Sequence, residues 1–101
     1  MRTNQVVLLD QAVDDLEIGR DFYDIQEQGV GLYYVTSLLS DISSLHLYSG
    51  IHPTHFGFHR MLSKRFPFAI YYKVVSNMTQ VVAVLDMRQN PRSIRAALKS
   101  R

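Results

Sequence analysis

The sequence has no cysteine, which excludes a disulfide framework and a thiolate zinc site and suits a reducing, cytoplasmic setting. Residues 1–6 lack the apolar core of a signal peptide, and no apolar run approaches the ~20 residues of a membrane span. The expectation is a soluble protein without membrane association. No serine stands in a Gly-x-Ser-x-Gly setting and no glycine-rich phosphate loop is present, so neither a serine nucleophile nor a nucleotide cradle is indicated. Internal repeats and low-complexity stretches are missing too. Acidic residues nearly vanish from the second half. Residues 59–101 carry nine bases against Asp86 alone, a net +8, whereas residues 1–58 carry eight acids against Arg2 and Arg20, a net −6. Such asymmetry points to an anionic partner for the second half, unless the two halves neutralise each other across the fold. At 101 residues the chain is expected to form one domain spanning residues 1–101, with no cleft between lobes.

What is present is organised around residues 64–88. From Phe66 to Val74 the even positions are Phe66, Phe68, Ile70, Tyr72 and Val74, and the odd ones Pro67, Ala69, Tyr71 and Lys73. Successive strand side chains point to opposite faces, so the even face is core and the odd face mixed. Ser76-Asn77 supplies a turn, and the apolar run Val81 to Leu85 reads as a central strand covered on both sides. Asp86 and Arg88 are delivered at its end. Upstream, residues 5–9 form a short strand and Asp10 caps a helix. On that helix Ala12, Leu16, Gly19, Tyr23 and Gln26 make one stripe, Gly19 marks close approach of another backbone, and Asp14 and Asp15 are surface charge. Gly29-Val30-Gly31 turns the chain into a second, antiparallel helix over residues 32–47, with Tyr34, Val35, Leu38, Ile42 and Leu45 inward and Ser37 outward. Residues 55–62 read as one strand. Asn90-Pro91 starts a short basic helix with Ile94, Ala97 and Leu98 inward. The result is an α+β domain of order β-α-α-β-β-β-α: an antiparallel-rich sheet, a helical hairpin on one face and a short C-terminal helix.

His52, His55 and His59 invite a metal reading, but on one strand His55 and His59 stand about 13 Å apart at ~3.3 Å per residue. No metal or other cofactor is expected. The more informative group is Arg60, Lys64, Arg65, Tyr71, Lys73 and Arg88, extended by Arg92 and Arg95 on the last helix. Bases interleaved with an aromatic suit a phosphate and a stacked nucleobase, or an acidic peptide; an ordinary solvated sheet face is the alternative.

The order of elements, together with Arg65-Phe66-Pro67-Phe68-Ala69-Ile70-Tyr71-Tyr72 and the run from Val82 to Pro91, resembles the RelE/ParE toxin superfamily over nearly the whole chain, including Phe22-Tyr23 and Gly29-Val30-Gly31. The resemblance implies the toxin half of a type II toxin–antitoxin pair: a growth inhibitor neutralised by a cognate antitoxin, as a hetero-oligomer or a homodimer. One branch cleaves messenger RNA on the ribosome, and the other inhibits DNA gyrase. The nuclease branch carries an arginine where this chain has Ala69 and a tyrosine where it has Ile94, and only Arg88 matches that set. Cleavage by 2′-hydroxyl attack needs a base as well as cations, and Tyr71 is the one weak candidate base beside Arg88. The run from Arg65 to Tyr72 is closer to the ParE-like, plasmid-stabilisation branch. The expectation is therefore a non-enzymatic gyrase inhibitor, with a ribosome-dependent endoribonuclease or a degenerate toxin that only binds antitoxin as alternatives.

Overall fold

In a computed structural model that describes residues 4–101, the hairpin of residues 64–88 is the centre of the sheet. β4 (Phe68–Val75) and β5 (Met78–Asp86) pair antiparallel around the Ser76-Asn77 turn. On the far side of β5 lies β1 (Gln5–Leu8), pairing parallel through Val81. On the far side of β4 lies β3 (Phe58–Leu62), followed by β2 (Thr54–His55), so the order is β1-β5-β4-β3-β2. The single strand expected over residues 55–62 is instead two. Phe56 and Gly57 both take positive φ and fold the segment into a tight hairpin. The N-terminal reading of residues 1–3, Arg2 included, lies outside the described residues. No described helix is long and apolar enough to cross a membrane.

α1 (Asp10–Gln26) and α2 (Val30–Ser43) form the expected antiparallel hairpin. Gly29 makes the reversal at φ 93°, a conformation that costs a residue with Cβ. Asp24 Oδ1 then accepts from the Gly29 and Gly31 amides at 3.2 and 2.8 Å, tying the end of α1 to the start of α2. α2 stops at Ser44, whose hydroxyl bonds back to the Asp41 carbonyl, and the single turn α3 (Leu45–Tyr48) takes a new direction. The helix read over residues 32–47 is thus two pieces. Asp10 begins α1 rather than capping it; the cap position is Leu9 and has no side-chain bond. Ser37 turns inward rather than outward, and Gln26 is exposed.

The hairpin packs on the even face: Leu16, Tyr34, Leu38 and Ile42 meet Phe68, Ile70 and Tyr72, with Phe66 partly buried beside them. Val74, expected in this core, is 40% exposed because β4 outruns the helices. Gly19 lies under the Tyr34 ring, where a Cβ would come within 2.5 Å of its hydroxyl end. The close approach is by a side chain, not by backbone.

The odd face is not open. α4 (Pro91–Lys99), capped by the Asn90 side chain with Pro91 in its first turn, lays Ile94 and Leu98 on Ala69, Tyr71, Val82, Ala83 and Leu85. Tyr71 is fully buried there. A bulge makes this second core possible: Tyr71 pairs with Ala83 but Tyr72 with Val81, leaving Val82 as an extra residue. Alternation changes phase at that point, so Val81 and Val84 face the helical hairpin while Val82, Ala83 and Leu85 face α4.

Beyond Val81 no described strand covers the outer edge of β5. Two side chains do so instead. Asp15 Oδ2 accepts from the Val84 amide at 2.9 Å, Arg101 Nη1 donates to the Val82 carbonyl at 2.9 Å, and the two side chains pair at 2.7 and 3.0 Å. Their exposures are only 10 and 12%, so Asp15 is not the surface charge its sequence setting suggests.

Candidate functional site

Where β4 begins and β5 ends, four segments converge: the end of α1, the start of α2, the turn at residues 64–67 and the turn at residues 87–89. The Met87 amide donates to the Pro67 carbonyl at 2.8 Å, which locks the two turns together. Tyr23 fills the space between them, with ring centroids 5.0 Å from Phe66, 5.2 Å from Tyr34 and 5.1 Å from Phe22. Tyr33 packs on Phe66 from outside. Pairs with these separations, two of them edge-to-face, favour defined ring geometry, so this end of the sheet is an aromatic platform. A recess of about 220 Å³ opens beside it, walled by Ile18, Phe22, Phe68, Leu85, Asp86 and Gln89.

Arg88 stands on the platform. Its Nε and Nη2 donate to the two Asp86 oxygens at 3.0 and 2.8 Å, its own amide donates to Asp86 Oδ1 at 2.8 Å, and Nη2 lies 3.5 Å from the Tyr23 hydroxyl. This is a bidentate fork that occupies the edge of the guanidinium. The hydrogen bonds from Arg88 hold the Asp86 carboxyl below its ordinary value despite partial burial. Both groups stay charged at neutral pH, and each is largely cancelled by the other. The Tyr34 hydroxyl, buried nearby, has no hydrogen-bond partner among the described residues. Burial first, then the neighbouring Tyr23, Asp15 and Asp86, push its phenol well above the ordinary value.

The other sequence-derived cations separate into four places. Lys64 and Arg65 are exposed on the turn that carries Phe66, and Lys64 also lines a cleft beside Asp41 and Tyr48. Arg92 and Arg95 lie on the exposed side of α4, Arg95 in a shallow depression with Phe56 and Lys99. Lys73 is exposed five residues along β4 from Phe68, about 16 Å away at ~3.3 Å per residue. Arg60 is opposite Tyr71 on β3. The expectation that Tyr71 projects beside Lys73 on an open face is corrected, because α4 covers it and its hydroxyl lies 3.7 Å from Met87 Sδ. Burial pushes its phenol up, against a smaller downward pull from Arg60. That is the opposite of what a general base requires. Asp86, the partner of Arg88, was legible as a neighbour at the strand's end, but its role in holding the guanidinium was not.

The three histidines are not strung along one strand. His59 pairs with Thr54 across the β2–β3 hairpin, and its ring stacks on Tyr72 at 5.0 Å. The His52 Nδ1 lies 2.5 Å from the Tyr72 hydroxyl.

No protein-family model matches the sequence, and no curated protein matches it. The fold does have a counterpart among solved structures. A chain described as "Chromosomal ParDE TA system from P. aeruginosa" superposes with a TM-score of 0.78 at 16% identity, over 85% of this chain and 98% of that one. The strand order, the helical hairpin and the short last helix described above therefore make up the fold of that ParDE chain.

Proposed function

We propose that this chain is the cytoplasmic toxin of a type II toxin–antitoxin pair, and that it acts by binding DNA gyrase rather than by cutting RNA. The shared fold supports the toxin reading. The observation that carries the non-enzymatic part is the state of Arg88, whose guanidinium is forked onto Asp86, while burial pushes up the phenol of Tyr71, the candidate base. Ala69 and Ile94, at the positions where the nuclease branch has arginine and tyrosine, are packed into the core between β4 and α4. Supplying either function there would require moving that helix. Losing one such group commonly lowers a rate about 10²–10⁴-fold, and here two are missing.

Lys64, Arg65 and Arg88 at the aromatic platform, with Arg92 and Arg95 on α4 and the more distant Arg60 and Lys73, form the proposed contact set for an acidic antitoxin segment or for the target. Tyr71 belongs to it only as support beneath α4. Purified protein is expected to inhibit gyrase supercoiling. Primer extension on messenger after expression is expected to show no new 5′ ends in translated frames. New ends abolished by Arg88→Ala would establish the nuclease instead, and absence of both effects with retained antitoxin binding would leave a degenerate toxin. Antitoxin binding is expected to weaken with salt, and charge reversal at Lys64 or Arg65 to weaken it more than reversal at Asp14 or Glu17. Equal sensitivity at the α1 acids would move the docking surface to that helix.

A further inference from the structure

The segment between α3 and β2 is pinned to the sheet by its own polar atoms. The Ser49 hydroxyl bonds the hydroxyl of the fully buried Thr79. The Gly50 amide donates to the hydroxyl oxygen of Tyr72, also fully buried, at 3.0 Å. His52 Nδ1 meets that same hydroxyl at 2.5 Å, His59 Nδ1 meets the His52 carbonyl at 2.7 Å, and the Arg60 amide donates to the Pro53 carbonyl at 2.9 Å.

These bonds assign the protons. A carbonyl only accepts, so His59 carries hydrogen on Nδ1 and can take a second proton on Nε2 without losing its bond. Tyr72 already accepts from Gly50, so its own proton is satisfied only by donation to His52 Nδ1, which must be bare. His52 is then the neutral Nε2–H tautomer, and a proton on Nδ1 would leave two donors facing each other at the buried Tyr72 hydroxyl.

We infer that His52, Tyr72 and His59 form a proton-operated latch that holds residues 49–53 against the sheet at neutral pH and releases them in acid. This inference is independent of the toxin reading. The titratable and charged groups around His52 are Tyr72 on β4, His59 and Arg60 on β3 and Tyr48 on α3, with Asp41 and Lys64 across the adjoining cleft and His55 three residues on. The Ser63 hydroxyl and the Lys64 amide both bond Asp41 Oδ2. Burial, then the charge of His59, lowers the His52 pKa from its ordinary value. The closed state is therefore fully favoured above that ordinary value and loses ground as pH falls towards the lowered one. Opening widens a cleft of about 580 Å³ walled by Tyr48, Ile51, His52, Arg60, Leu62 and Lys64, and adds a positive charge to it. An anionic partner there would gain affinity in acid.

The test is a pH series on the intact protein. Ring nitrogen spectra are expected to show His52 as the Nε2–H tautomer at pH 7.5. Protection of the Gly50 amide, corrected for intrinsic exchange, should fall about tenfold per pH unit between the closed and open His52 values. Its loss should coincide with the His52 titration. His52→Gln, which keeps an acceptor but does not titrate, should flatten that dependence, and Tyr72→Phe should give low protection already at pH 7.5. An Nδ1–H tautomer for His52 at neutral pH would overturn the latch. So would Gly50 protection that is constant from pH 7.5 to 5, or a dependence that persists unchanged in His52→Gln.

Discussion

Asp15→Ala is expected to lower the unfolding free energy by about 3–5 kcal/mol, although its chain neighbours Asp14 and Glu17 on the same helix are exposed. The substitution leaves the Arg101 guanidinium, 12% exposed, with no carboxylate, and strips the Val84 amide of its acceptor. An unpaired buried charge costs more than the intact pair contributes, because desolvation remains while the attraction is gone. Arg101→Ala should have a similar effect by the converse route, leaving Asp15 and the Val82 carbonyl. The double substitution should cost less than the sum of the singles, since neither charge is then stranded. For a domain of this size each kcal/mol moves Tm by about 4–8 °C, so thermal melts would resolve the effect. Losses below 1 kcal/mol for both singles would mean that water replaces each partner freely.

Phe68→Ala is the second large effect, at about 3–5 kcal/mol. Phe68 is 6% exposed and sits beneath the helical hairpin with its ring 5.0 Å from Tyr34 and 6.2 Å from Tyr23. Its removal opens a cavity among rings that are fixed by one another, so collapse is poor and the cost falls in the upper part of the range. Because the same rings support Arg88, the substitution should also loosen the Arg88–Tyr23 contact, visible as line broadening at Tyr23. A denaturant midpoint within experimental error of the parent protein would place Phe68 outside the core.

The central hairpin was legible because strict alternation in Phe68, Ile70 and Tyr72 leaves one choice of buried face. The opposite face was misread because Ala69, Tyr71 and Lys73 mix a small, an amphipathic and a charged side chain, a pattern equally suited to water and to a helix. The needed signal was in the neighbouring strand. Val81 to Leu85 reads as covered on both sides, and a strand cannot be covered on both faces while its paired neighbour is bare. Ile94 and Leu98 on α4 are the side chains that do the covering. The Asp15–Arg101 pair had no local signature at all, being joined across 86 positions and visible only once β1 is seen to stop at Leu8. For the candidate site, Arg88 and its Asp86 neighbour were readable from the end of the strand, whereas the Tyr23–Phe66 platform depends on a turn and a helix end that only the tertiary fold brings together.

The extra residue at Val82 has a consequence for how this chain tolerates changes in length. Side chains before it and after it are in opposite phase, and β5 is buried on two faces from Val81 to Leu85. Removing Val82 itself would regularise the ladder and leave Val84 toward the helical hairpin and Leu85 toward α4, but adding or removing a residue elsewhere in the strand would turn one half of it over or break its pairing with β4. The exposed Ser76-Asn77 turn carries no such phase constraint. Among chains of this fold, gaps and insertions should therefore gather at the hairpin tip and, apart from loss of the bulge residue, avoid residues 79–86, even where the identities of those residues drift.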